Sequence, residues 1–139
     1  MIRQATNNDI ASINKLGLLI EDNFTKVYDI KDLLTKEYVH IYVYEENNEI
    51  KGFIHLESHF EICDLINIAV YTSYQRNNIG TKLLDYAITN TTSDKIMLEV
   101  RESNTKAINL YTKLGFKEIN KRIKYYGNED ALIMERVIK

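Results

Sequence analysis

The chain has no proline, no tryptophan and a single cysteine among its 139 residues. One cysteine, Cys63, excludes an internal disulfide and any multi-cysteine metal site. The three histidines, His40, His55 and His59, stand in no recognisable ligand spacing, so no metal is expected. No apolar run approaches the length of a membrane span, and no signal-peptide pattern follows Met1; the expectation is a cytoplasmic protein without a membrane partner. A net charge of −2 lacks the basic excess of a domain that binds a nucleic-acid backbone, so no nucleic acid is expected either. The patterns GxGxxG and Walker A are missing, which disfavours a dinucleotide or NTPase site. What is present is a 45% hydrophobic content, enough to build the core of one domain over residues 1–139.

The apolar periodicities give the order of elements. Ile2 to Ala5 reads as a short strand. Thr6-Asn7-Asn8-Asp9 offers helix caps ahead of Ile10, Ile13, Leu16 and Leu19 at helical spacing. A second helix is expected near Asp29–Tyr38. His40–Tyr44 and Ile50–Glu57 form a hairpin around a polar turn, and Glu61–Val70 is the next strand. A helix over Gly80–Asn90, a strand over Lys95–Val100 and a helix over Asn104–Leu114 follow, the last stopped by Gly115 in a left-handed cap. Phe116–Tyr126 and Ala131–Val137 close as a final hairpin. This order predicts an α/β fold: a mixed sheet of about seven strands with about four helices on both faces, in which strands 61–70 and 95–100 run parallel.

Three places carry chemistry. The stretch VYTSYQRNNIGT, residues 70–81, joins a buried strand to a helix start. Free backbone N–H groups and the positive end of the helix dipole converge on an anion at such a joint; a solvated turn would have the same composition. Glu99 lies in mid-strand, on the face opposite Ile96, Leu98 and Val100. It is either the ion-pair partner of Arg101 or a general base whose pKa a partly apolar cleft has raised. Tyr111 shares a helix face with Asn104, seven residues and roughly 10 Å earlier at ~1.5 Å per residue. It is either a core aromatic or a phenol that protonates a leaving group. Cys63 reads as a small apolar filler.

Taken together, INIAVYTSYQRNNIGTKLLDYA and LEVRESNTKAINLYTKLGFKE resemble the GNAT N-acetyltransferase superfamily over residues 50–137. The second block, with Arg122, Tyr125-Tyr126, Glu129-Asp130-Ala131 and Met134 behind it, is similar to the ribosomal-protein-alanine N-acetyltransferase branch, which acetylates protein N-terminal amines. The resemblance implies acetyl-CoA as the acetyl donor. It implies that the backbone of Ile68, Ala69 and Val70 holds the acetyl and pantetheine portions. The loop Gln75, Arg76, Asn77, Asn78, Ile79, Gly80 and Thr81 would hold the diphosphate, and Asn104 would contact the pantetheine arm. Tyr111 would protonate the departing thiolate, and Glu99 would act as base through water. A backbone N–H near Val70 would stabilise the oxyanion.

The sequence departs from that family in two places. The first glycine of the family's loop is Asn78 here, and Asn is the non-glycine residue most tolerant of a left-handed backbone. The Pro-Trp segment that usually follows the first helix and shapes the acceptor side is absent. The expected reaction is acetyl transfer to a primary amine, foremost a protein N-terminal α-amine. A small amine or amino-acid derivative as acceptor, and a non-catalytic acyl-CoA-binding module, are the alternatives. Monomer and homodimer are both compatible with the sequence.

Overall fold

The computed structural model describes residues 1–125 and 127–139, and the side chains of all of these except Gln75 and Arg76. The elements are β1 (Ile2–Gln4), a 3-10 turn (Asn7–Asp9), α1 (Ile10–Gly17), α2 (Phe24–Val27), α3 (Ile30–Leu33), β2 (Val39–Glu46), β3 (Glu49–His59), β4 (Ile62–Val70), a second 3-10 segment (Thr72–Asn77), α4 (Ile79–Asn90), β5 (Lys95–Arg101), α5 (Thr105–Lys113), β6 (Lys117–Arg122) and β7 (Ala131–Val137). The seven strands form one sheet in the order β1-β2-β3-β4-β5-β7-β6. All neighbours are antiparallel except β4 and β5, the parallel pair that the sequence predicts.

Two apolar clusters fill the faces of the sheet. One is built from Ile13, Leu16, Phe24 and Ile30 of α1–α3 against Ile41, Val43, Phe53 and Ala69. The other packs Ile79, Leu83, Leu84 and Ala87 of α4, and Tyr111 of α5, against Ile54, Leu56, Leu65, Ile96 and Leu98. Helices therefore cover both faces, five where about four were expected. The helix expected over Asp29–Tyr38 is the one that changed. Asp29 caps only α3, accepting from the Asp32 N–H at 3.2 Å, and α3 ends at Leu33. Phe24, fully buried, anchors a separate turn, α2.

The local signals before and after α5 hold. Asn104 is its N-cap and accepts from the Ala107 N–H at 3.2 Å. Gly115 takes φ +91, with Phe116 N–H donating to Tyr111 O and Gly115 N–H donating to Thr112 O, a Schellman ending. The strand expected over Phe116–Tyr126 is shorter, Lys117–Arg122, because Ile119 is an irregular position in the ladder with β7 and Lys124 turns to φ +50. Tyr126 lies outside the described residues.

The feature that positions the site is a gap. β4 and β5 are in register only at Ile62, Cys63 and Asp64 against Lys95, Ile96 and Met97. Beyond these the two strands diverge. A register shift at His55/Leu56 against Asn67/Leu65 leaves Ile66 as an extra residue on β4, a bulge that bends the strand away.

Candidate functional site

The gap between β4 and β5 opens into a cavity on each face of the sheet. On the α4–α5 face a cavity of about 260 Å³ is lined by Val70, Asn78, Gly80, Thr81, Ala107 and Leu110, together with Lys106. On the α1–α3 face one of about 640 Å³ is lined by Glu21, Tyr28, Asn67, Glu99 and Arg101, with Leu19 and Ile20 at its rim. Ile68, Ala69, Val70, Asn104 and Tyr111 line both. The predicted site residues from β4 and α5 therefore meet at the seam between the two cavities, and Glu99 faces the second one.

The first cavity has the makings of an anion and amide site. Asn78 adopts φ +59, ψ +27, the left-handed conformation expected where the loop substitutes Asn for Gly. Its side chain does not cap α4, so the opening N–H groups of a 12-residue helix point out at the loop. A Cβ built on Gly80 would meet only Leu110 Cδ2 at 3.5 Å and Val70 Cγ2 at 3.9 Å, ordinary contacts. Packing alone therefore does not demand glycine at position 80; the missing side chain widens the cavity. The loop is tethered by Tyr74, whose hydroxyl donates to Glu49 at 3.1 Å and whose ring lies 4.5 Å from Lys51 Nζ. Asn77, Ile79 and Thr81 lie in the loop and helix start as expected. The expected roles of the Gln75 and Arg76 side chains lie outside the described residues.

Tyr111 is 7% exposed and packs its ring 5.8 Å from Phe116. Burial pushes its phenol up to about 12, which keeps the proton on Oη at any physiological pH. Tyr111 is thus a packed aromatic that borders the seam.

Glu99 is more exposed than an apolar-cleft base would be, and its partner differs from the one the strand face suggests. Its Oε1 lies 3.1 Å from Arg122 Nη2 on β6, whose guanidinium sits 5.3 Å from the Tyr125 ring. Arg101 turns instead to Glu129 at 3.4 Å, where the Ser103 N–H also donates to the carboxylate at 2.8 Å. Small, fully buried Ala131 stands in register with both Arg101 and Arg122, and so lets a β6 side chain reach across to β5.

Sequence reasoning missed the floor of the second cavity. His55 is fully buried, its Nε2 2.9 Å from Glu57 Oε2 and its Nδ1 3.2 Å from Asn67 Nδ2. Tyr28 lays its ring edge-on to His55 at 5.9 Å. The available signal was a polar residue breaking each of two apolar runs, Phe53-Ile54-His55-Leu56 and Leu65-Ile66-Asn67-Ile68, which the hairpin places side by side. Cys63 is buried as expected, and burial raises its thiol pKa. Among the described residues no group of three or more His, Cys, Asp or Glu side chains is placed to hold a metal ion. No helix among them is long and apolar enough to cross a membrane.

The model of the acetyltransferase (GNAT) family matches residues 8–116. The N-alpha-acetyltransferase of Sulfurisphaera tokodaii is 34% identical over 96% of this chain and 90% of its own length. The ribosomal protein bS18-alanine N-acetyltransferase of Escherichia coli is 38% identical over 64% of this chain and 65% of its own. The crystal structure of the E. coli ribosomal-protein-S18-alanine N-acetyltransferase superposes with a TM-score of 0.84 at 28% identity, covering 100% of this chain and 94% of that one. A GNAT family acetyltransferase from Elizabethkingia anophelis with acetyl-CoA bound gives 0.77 at 25%, covering 99% and 97%.

Proposed function

Because the chain belongs to the GNAT acetyltransferase family, whose acetyl donor is acetyl-CoA, we propose that it acetylates the α-amine of a protein N-terminus. The observation that carries this reading is the pair of cavities joined at Tyr111 and the end of β4. One is narrow and borders a helix start; the other is wider and bears the carboxylates Glu21 and Glu99. A donor and an acceptor entering from opposite faces would meet at the seam. The two relatives above carry names that specify N-terminal or ribosomal-protein alanine acetylation, which favours this acceptor over a small amine.

The donor side fits acetyl-CoA. The open N–H groups at the start of α4 and the left-handed Asn78 form a concave lining for the diphosphate. The space at Gly80 admits the pantetheine arm toward Ile68, Ala69 and Val70, and the Asn104 amide N–H is the donor left over after its oxygen has capped α5. Acetyl-CoA supplies an acyl carbonyl already activated as a thioester.

The residues of this chain move two protons. Glu99, at the rim of the wider cavity, takes the proton of the acceptor ammonium through water. Tyr111 Oη, kept protonated by burial, gives its proton to the leaving sulfur and is reloaded by the second proton that the nitrogen sheds as the amide forms. An α-amine has a pKa near ~8 against ~10.4 for lysine, so an exposed carboxylate suffices for the first. The protein works as a single domain over residues 1–139, in the cytoplasm.

The test is thiol release from acetyl-CoA with a panel of N-terminal peptides and primary alkylamines. Peptides should be preferred. Turnover confined to small amines would assign the site to that alternative, and cofactor binding without turnover on any acceptor would leave only a binding module.

A further inference from the structure

The wider cavity has a polar floor for which the reaction above has no role. Four side chains from three segments connect there: Glu57 and His55 of β3, Asn67 of β4, and Tyr28 just after α2. Glu57 Oε2 is 2.9 Å from His55 Nε2, His55 Nδ1 is 3.2 Å from Asn67 Nδ2, and the Tyr28 ring lies edge-on to His55 at 5.9 Å. Asn67 and Tyr28 line the cavity together with Glu99 and Tyr111. A fully buried imidazole and a 5% exposed amide are costly in a core and stay there only when satisfied.

The donor and acceptor rules fix the orientation of every member. A carboxylate only accepts, so His55 must carry its hydrogen on Nε2, facing Glu57. Burial lowers the His55 pKa and holds the ring neutral. A neutral ring with its hydrogen on Nε2 has a lone pair on Nδ1, which can only accept. Asn67 must therefore turn its NH2 toward His55. Its carbonyl oxygen is then the polar atom it has left for the cavity. Asn67 is two residues before Ala69 on the same face of β4, roughly 7 Å from the seam at ~3.4 Å per residue.

We propose that Asn67 orients the acceptor amine, its side-chain oxygen accepting one amine N–H, and that His55 and Glu57 are positioning residues that lock this oxygen toward the cavity. An attacking amine has one lone pair and two N–H bonds. An acceptor that takes one N–H points the lone pair elsewhere, and here elsewhere is the seam. The proposal rests on the amine-acetylating reading and adds to it a requirement that the attacking nitrogen offer an N–H to Asn67.

Two variants and two readouts test it. In Glu57→Gln the new amide can donate or accept, so both His55 tautomers become possible and Asn67 is free to flip. In Asn67→Leu the oxygen is gone at similar volume. Both should raise the acceptor KM by up to about tenfold, the effect of one lost hydrogen bond, with the acetyl-CoA KM unchanged. Nitrogen-15 NMR of the His55 ring, without substrate, should report hydrogen on Nε2 in the parent and a tautomer mixture in Glu57→Gln. Unchanged acceptor KM in both variants would overturn the proposal. So would both KM values rising together, the mark of general damage, or a parent ring with its hydrogen on Nδ1. Each kinetic measurement is made with an N-terminal peptide and with a primary alkylamine. A parent active only on the alkylamine sinks the protein N-terminus as acceptor while the role of Asn67 is still judged on the alkylamine. A parent inert toward both sinks acetyl transfer and the amine-orienting role with it, while the ring spectrum still judges the lock.

Discussion

The two faces of the seam are built in different ways. On the α4–α5 face the lining includes features set by the backbone: a helix start, a left-handed Asn78, the void at Gly80 and the end of β4. On the α1–α3 face it is mostly side chains, brought from the segment between α1 and α3, from β4 and from β5. A backbone site depends on a few consecutive residues having the right φ and ψ. A side-chain site depends on pairs of groups far apart in the chain. Under the proposed function the first kind serves a donor that never changes, and the second is where acceptor choice can vary without disturbing it.

The sharpest test falls on the seam itself. Tyr111→Phe keeps the ring and removes the proton, so kcat should fall by ~10²–10⁴-fold with acetyl-CoA affinity nearly intact. A donor held near 12 stays loaded through pH 10, and the parent rate should show no loss on the alkaline side below that value. A Tyr111→Phe variant as fast as the parent would make the seam a matter of packing alone. On the backbone side, Gly80→Val should weaken acetyl-CoA by about 10–100-fold, the effect of overpacking a site. The acceptor KM should not follow; calorimetry with coenzyme A and a peptide titration separate the two. Unchanged affinity would place the pantetheine arm elsewhere.

The side-chain face hangs on the N-terminal segment, so the third test is on its anchor. Asp9, 4% exposed, accepts from Arg3 Nη1 at 2.7 Å and Nη2 at 2.9 Å and from the Thr6 N–H at 2.8 Å. Asp9→Asn should cost on the order of 2 kcal/mol, the scale of charge-assisted hydrogen bonds, read by urea unfolding. The Arg3 guanidinium holds the Asp9 carboxyl below its ordinary 3.8. That contribution is therefore complete above pH 3.8 and is lost as the pH falls through the lower folded-state value. An acid unfolding profile shared by parent and variant would contradict it.

Two smaller effects complete the series. Glu99→Gln should slow acetylation of an alkylamine more than of an N-terminal peptide, because the more basic amine needs more help losing its proton. Matching pH–rate profiles for parent and variant with both acceptors would reduce Glu99 to the ion-pair partner of Arg122. Asn78→Gly should leave acetyl-CoA affinity unchanged or slightly improved, since φ +59 strains Asn more than Gly. A clear loss of affinity would mean that the Asn78 side chain touches the ligand.

The same contrast explains what could be read from the sequence. Asn78, Gly115 and the alternation of Ile96, Leu98 and Val100 against Glu99 obey rules that act within a few residues, and the structure follows them. The parallel pairing of β4 and β5 follows from the helix that crosses over between them. The partner of Glu99 did not follow from local rules. Arg101 is two residues away on the same face, yet Glu129 and the Ser103 N–H draw it off, and Arg122 arrives from β6 across the single small residue Ala131. Likewise the helix expected from Asp29 shrank to the four residues of α3, and a separate turn, α2, formed ahead of it where Phe24 is fixed by tertiary contact with Phe53, ring centroids 6.1 Å apart. The His55–Asn67 contact needed the hairpin register, which a bulge at the adjacent Ile66 shifts.

The three-residue pairing between β4 and β5 has a consequence for how the molecule holds together. In mechanical terms it is two sheets, β1 to β4 and β5-β7-β6, welded along one short edge. Each half is laced by longer ladders, such as the seven register pairs of β5 with β7 from Lys95 to Arg101. The weld sits at the end of the strands away from the seam, so the open ends can flex like the jaws of a clothes-peg without breaking a ladder. Amide exchange should therefore be slow at Cys63 and Ile96 and faster toward Val70 and Arg101. A ligand that wedges between the jaws should slow the second group while leaving the first unchanged, and should stabilise the fold by ~2.7 kcal/mol at a hundred times its Kd.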